Sequence, residues 1–225
     1  MFRVLSYSIT PDSPVWPGNL PAVGAQPFTA IHRGDRSNTT ILHLFSHSGT
    51  HLDAPKHYND AGPSAWELPI EQYIFEKPLV LDVPKTAQAA ILREDIEPYA
   101  AALAEADVGL LRTGWSQERD HNPRHYASKG PFLHPDGARF LMTFANLKAV
   151  GIDTISIATP DYLTEGIETH RVLTGAGRTD DRFVLILEDF RIDADLNDAR
   201  RIYTWPLFIQ GSDGSPCTIV AEFGD

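Results

Sequence analysis

The sequence predicts a mixed α/β fold in a single domain, with a central β core and a few flanking helices. Short apolar runs, many with β-branched residues, recur along the whole chain and stop at Gly, Pro or Asp. Two longer stretches carry helical spacing instead. Seventeen prolines and sixteen glycines are spread along the 225 residues rather than blocked, which implies many turns and no flexible linker. A chain of this length buries a real core as one domain, residues 1–225, and would be cramped as two.

In chain order, strands are expected over 2–7, 40–45, 79–82, 108–112, 149–152, 182–187 and 219–223. A helix is expected over 93–106, with Ile96, Tyr99, Ala100 and Leu103 on one stripe. A second is expected over 135–144, where Pro135 takes the first position after His134 and Ala138, Leu141 and Met142 face inward. Both stripes read as packing. The number of strands leaves their order open.

Nineteen basic against thirty acidic residues give a net charge of −11, which disfavours nucleic-acid binding because phosphate contacts need clustered Lys and Arg. The first seven residues lack the apolar core of a secretory signal, and no run of eighteen apolar residues exists to span a bilayer. The expectation is a cytoplasmic protein without membrane or nucleic-acid partners. Cys217, the single cysteine, has no basic neighbour in sequence to activate it and reads as a buried structural thiol. His121 and His125 sit in a polar stretch and read as a solvated loop.

The segment His47-Ser48-Gly49-Thr50-His51-Leu52-Asp53-Ala54-Pro55-Lys56-His57 places three of the nine histidines and one aspartate at odd positions. Imidazole and carboxylate are preferred ligands of zinc and similar divalent ions, and a water left on such an ion becomes a nucleophile near neutral pH. In an extended strand residues two apart lie about 6.6 Å apart and residues four apart about 13 Å, so His47 and His51 would barely reach one ion. Gly49, Thr50 and Pro55 make a poor helix. The expectation is therefore a strand that breaks into a bent loop, with Gly49 permitting the bend and Pro55 stiffening the exit. His47, His51 and Asp53 then converge and His57 stands slightly apart. A single histidine pair is more often solvated or hydrogen-bonded than ligating, but four candidates in one bent segment favour a metal.

Partners for a second ion must come from elsewhere. His170 follows a loop rich in Gly and acidic residues, and Glu188 ends an apolar strand, where sites are commonly assembled. The alternative for Glu188 is a solvated strand terminus. With Asp53 bridging, His47, His51, Asp53, His170 and Glu188 suffice for two ions about 3.5–4 Å apart.

On these residues the chain resembles the cyclase-like metal hydrolase family, which includes bacterial kynurenine formamidases and isatin hydrolases. The resemblance is carried by HxGTHxDxPxH at residues 47–57. It extends to Ser13-Pro14-Val15-Trp16-Pro17-Gly18, to the strand-like runs at 110–115 and 149–154, and to the turn Gly211-Ser212-Asp213-Gly214-Ser215-Pro216. It implies a mixed α/β domain with one or two divalent ions, zinc or manganese, acting on a small-molecule substrate. The implied activity is that of a metal-dependent amidohydrolase, arylformamidase- or isatin hydrolase-like, cleaving a C–N bond of a small amide or cyclic amide by a metal-bound hydroxide. It also implies His47, His51 and Asp53 as ligands of a first ion, Asp53, His170 and Glu188 as ligands of a second, and His57 as the proton shuttle. Trp16 matches an aromatic of the substrate pocket, with a packing tryptophan as the alternative.

Two departures from the family pattern stand out: a lengthened connection through 174–181 between His170 and Glu188, and Ala158 where relatives often carry aspartate. A polyketide-type cyclase, a lactone hydrolase and a non-catalytic metal- or ligand-binding member remain alternatives. A homo-oligomer, dimer or tetramer, is expected, and the stretch from Trp66 to Ile70 serves either an interface or the pocket.

Overall fold

A computed structural model describes residues 1–18 and 20–224. Its strands are β1 (Phe2–Val4), β2 (Gly24–Thr29), β3 (Thr39–His43), β4 (His51–Asp53), β5 (Ile74–Phe75), β6 (Pro78–Asp82), β7 (Ala90–Ile91), β8 (Val108–Arg112), β9 (Phe132–Leu133), β10 (Ala149–Ile152), β11 (Leu185–Glu188), β12 (Ala199–Pro206) and β13 (Gly214–Phe223). The α-helices are α1 (Arg93–Ile96), α2 (Ala100–Leu103), α3 (Glu118–His121), α4 (Pro123–Lys129), α5 (Pro135–Leu141) and α6 (Leu163–Leu173).

One sheet organises the molecule, in the order β5-β12-β13-β4-β11-β10-β8-β6, with β1 also on β13. From β6 through β8 and β10 to β11 the strands are parallel. From β11 onward through β4, β13, β12 and β5 they are antiparallel. The sheet curls so that β6 returns toward β12 and it is nearly closed. Successive residues of β8, β10 and β11 alternate between two cores, as a period of two requires. Val108, Leu110, Ala149, Leu185 and Leu187 face the inner one with Tyr73, Phe75 and Phe190. Leu111, Val150, Ile152 and Ile186 face the outer one, under Ile96, Leu103, Leu141 and Leu173 of the helices. Strands buried on both faces are continuously apolar, and for that reason 108–112 and 149–152 form as the sequence predicts.

Three expectations are corrected. The helix over 93–106 is split into α1, a 3₁₀ turn at Glu97–Tyr99 and α2, because Pro98 lacks the N–H that a continuous helix needs. The strand over 40–45 is β3, which pairs only with β2 in a separate ribbon and is exposed at every residue. His121 and His125 lie on α3 and α4 rather than in a loop; His121 is exposed and His125 is half-buried beside Glu118. The second helix does begin at Pro135, with the His134 side chain accepting the Asp136 N–H, and it stops at Leu141. Cys217 is buried. Among the described residues no helix is long and apolar enough to cross a membrane.

Candidate metal centre

Strand β4 lies in the middle of the sheet between β11 and β13, and its three residues are buried. His51 and Asp53, two apart on an extended strand, project to the same side. The register with β11 sets Glu188 directly opposite His51, and His51 Nε2 lies 3.1 Å from Glu188 Oε2. An extended strand thus suffices for this pair, and the bend falls on either side of it.

Before β4, Gly49 takes a left-handed φ of +61°, and the reversal brings His47 Nδ1 to 2.8 Å from Asp53 Oδ1. Gly214 leaves room for that ring: a Cβ there would stand 2.7 Å from His47 Cε1 and 2.8 Å from the Leu52 carbonyl oxygen. After β4, Pro55–His57 forms a 3₁₀ turn. That turn brings the His57 ring to 4.1 Å from His47, centroid to centroid. His57 therefore joins the cluster instead of standing apart.

His170 arrives on α6, one turn after Gly166. A Cβ on Gly166 would lie 2.5 Å from the Ala158 Cβ, so these two small residues let the helix close onto the sheet end. His170 Nδ1 donates to the Gly166 carbonyl at 2.7 Å, and His51 Nδ1 donates to the Gly49 carbonyl at 2.7 Å. A carbonyl only accepts, so each contact holds a proton on Nδ1 and turns Nε2 toward the carboxylates. His170 Nε2 lies 3.5 Å from Asp53 Oδ2 and 3.7 Å from Glu188 Oε1. The lengthened connection leaves this geometry intact: the Val184 N–H donates to the Leu173 carbonyl at 2.7 Å, closing the extra residues into a surface turn between α6 and β11.

Asp53 stands between the groups, 1% exposed, with Oδ1 toward His47 and His51 and Oδ2 toward His170. Among the described residues its Oδ2 has no hydrogen-bond partner, an orphaned buried carboxylate oxygen that is costly unless a cation faces it. Ligand atoms of His51, Asp53 and Glu188 lie within 4.8 Å of one another, as do those of His47, Asp53 and His57. Imidazole nitrogens and carboxylate oxygens at this spacing fit a divalent metal ion. Glu188 is steadied by the Ile157 N–H at 2.6 Å and the Ser156 hydroxyl at 3.1 Å, both donating to Oε1. Behind it, buried Asp189 accepts two bonds from Arg119, at 2.7 and 2.8 Å, and one from the Tyr126 hydroxyl at 2.8 Å.

Charge follows from this crowding. Burial opposes a charged His47, but Asp53 and Asp213 outweigh it and lift the imidazole to about 10. Burial likewise opposes charge on His51 and His170, and bonds to Glu188 with the charge of Asp53 raise both. Asp53 is held below the usual carboxylate range: its burial works the other way, and His57, His47 and His51 overcome it. Without metal, the proton on His47 thus stands where cationic charge is wanted.

The centre opens into a cavity of about 180 Å³ walled by Trp16, Phe45, Tyr58, Ile155, Leu163 and Ile167. Trp16 also packs against the cluster of Trp115, Tyr126 and Ile155. Trp66 is not in the wall; it is exposed and meets Phe208 edge-on at 5.8 Å. Sequence reasoning did not single out Asp213 or Tyr58. Asp213 Oδ2 lies 2.8 Å from His47 Nε2 and 2.9 Å from His57 Nδ1, and Tyr58 stacks on His170 at 4.7 Å. The turn at 211–216 was the available signal for Asp213, and adjacency to His57 the signal for Tyr58.

The Cyclase family model, described as "Putative cyclase", matches residues 4–159, more than half of the chain. The chain belongs to the cyclase family. Its relatives include Cyclase-like protein 1 of Arabidopsis thaliana, 27% identical over 218 residues, covering 94% of this chain and 81% of the relative. An uncharacterized protein of Haemophilus influenzae is 40% identical over 113 residues, 50% of this chain and 80% of the relative. Among solved structures, isatin hydrolase A from Labrenzia aggregata superposes with a TM-score of 0.81 at 22% identity, covering 100% of this chain and 94% of the other. At that identity the likeness is one of fold, and the same mixed α/β architecture holds in both.

Proposed function

We propose that this cyclase-family protein is a metal-dependent hydrolase that opens the C–N bond of a small, uncharged aromatic amide, with an isatin-like lactam as the preferred class. The observation that carries the reading is the convergence of His47, His51, Asp53, His170 and Glu188 at the end of an aromatic cavity, with Asp53 Oδ2 left without a hydrogen-bond partner among the described residues. His47, His51 and Asp53 would hold one ion, and Asp53, His170 and Glu188 a second. A bound divalent ion supplies Lewis acidity and lowers the pKa of a coordinated water toward about 7.

The remaining work falls to the chain's own residues. Trp16, Phe45 and Tyr58 sandwich a flat ring and exclude water from the reacting carbonyl. His57, at the cavity wall beside His47, takes up the proton released on attack and returns it to the leaving nitrogen. Among the described residues lining the cavity there is no Lys or Arg. An α-carboxylate such as that of formylkynurenine finds no counter-ion there, which favours the lactam over the N-formyl amino acid.

The test is hydrolysis of isatin and of formylkynurenine by the metal-loaded protein, with and without chelator. Chelator-sensitive turnover of isatin exceeding that of formylkynurenine is expected, and inactivity on both by protein that retains its metal would defeat the reading.

The expected homo-oligomer belongs to the same proposal. A lone two-stranded ribbon is marginally stable, yet β2 and β3 stand apart from the main sheet and expose Phe28, Ile41 and Leu42. Light scattering should give the mass of a dimer or tetramer, and a monomer at micromolar concentration would contradict it.

A further inference from the structure

We propose that Asp213 is a positioning residue that fixes which nitrogen of His57 carries its proton, through the same oxygen that anchors His47. Its effect on turnover rests on the hydrolase reading above; its effect on the imidazole does not.

The geometry is specific. One oxygen, Asp213 Oδ2, accepts from His47 Nε2–H at 2.8 Å and from His57 Nδ1–H at 2.9 Å. The two rings lie 4.1 Å apart with a 37° angle between their planes. A carboxylate only accepts, and a neutral imidazole has a single N–H. The contact therefore places the His57 proton on Nδ1. The lone pair is left on Nε2, for which no hydrogen bond exists among the described residues, and His57 lines the cavity. For His47 the same oxygen takes the Nε2–H, so Nδ1 is the nitrogen turned to Asp53. One carboxylate thus sets the orientation of a candidate ligand and of the candidate base together.

The backbone is built to hold it there. The Ala54 N–H donates to the Asp213 carbonyl at 3.0 Å, pinning the residue at the exit of β4. The Ser212 hydroxyl donates to the Gly214 carbonyl at 2.6 Å and tightens the turn. The missing Cβ of Gly214 lets the His47 ring lie within reach of the carboxylate. A base oriented by a third group is the general arrangement for proton transfer, and removing such an outer partner typically costs about 10- to 100-fold in activity or metal affinity.

A merely structural role for Asp213, tethering the 207–213 loop, predicts lost stability without a change of tautomer. The test uses the full-length protein and long-range ¹H–¹⁵N correlation of its histidines at about pH 9, where an ordinary imidazole is neutral. Wild-type His57 is expected in the Nδ1–H form. Asp213→Leu, which cannot accept a hydrogen bond, is expected to shift it toward Nε2–H. In protein saturated with metal, KM for isatin should stay near wild type while kcat falls about 10- to 100-fold. Asp213→Asn keeps an acceptor oxygen and should lie between the two. Nε2–H in the wild-type protein would overturn the proposal whether or not the variants fold. So would an Asp213→Leu protein with an unchanged tautomer, whatever its kcat. If the wild type hydrolyses neither probe, the functional reading fails and the tautomer measurement still decides the role of Asp213.

Discussion

Asp53 carries more of the site than any other side chain, because its two oxygens face different partners. Oδ1 meets His47 and His51, and Oδ2 points at His170 with no hydrogen-bond partner among the described residues. Asp53→Ala is expected to lose bound metal and turnover together, whereas His57→Ala should keep the metal and lose about 10²- to 10⁴-fold in kcat, the usual contribution of a positioned acid–base group. Elemental analysis beside steady-state rates separates the two, and a fully active His57→Ala would remove His57 from the mechanism.

The residue scale also sets the pH behaviour. With His47 raised to about 10, its pairing with Asp53 and Asp213 stabilises the metal-free fold fully below about pH 6.5, and that contribution is lost as pH rises through about 10. A cation must displace this proton, so binding near pH 7 should release protons and tighten as pH rises toward 10. Calorimetry in buffers of differing ionisation enthalpy measures the release; no release, or uptake, would contradict the pairing.

At the level of elements, α6 shows how the site is assembled and why part of it escapes sequence reasoning. The helix buries Gly166, Thr169, His170 and Leu173, while Leu163 and Ile167 are more exposed and line the cavity. Its apolar residues are thus divided between the packed face and the cavity wall, which blurs the periodicity that identifies an amphipathic helix. Strands β8 and β10 are the opposite case, legible because both faces are buried. Gly166→Ala tests the close approach. Helix propensity would favour alanine by about 1 kcal/mol, but the new Cβ would stand 2.5 Å from that of Ala158. Overpacking of this kind costs about 1–3 kcal/mol, so the clash wins. The variant should melt lower and bind less metal as His170 is pushed back, and Ala158→Gly in the same chain should restore both. A Gly166→Ala protein with wild-type melting and metal content would show that α6 is not positioned by this contact.

For the whole molecule, the sheet brings together residues that the chain holds far apart. The segment 47–57 is legible because its donors are local and its Gly and Pro mark the bends. Asp213 is not, because it reaches His47 across 166 positions and no local pattern distinguishes it from any other turn aspartate. Glu188 falls between: the apolar run before it points to a strand end, but only the register against β4 shows which histidine it faces. The nearly closed sheet thus sets the neighbouring strands β4 and β11 at one cavity, with α6 lining it from another side.

The most direct test of this account is the divalent-metal content of the purified, full-length protein after exposure to zinc or manganese. One to two tightly held ions per chain are predicted, falling to a small fraction in Asp53→Ala at unchanged secondary structure. A wild-type protein that takes up no divalent ion would contradict it.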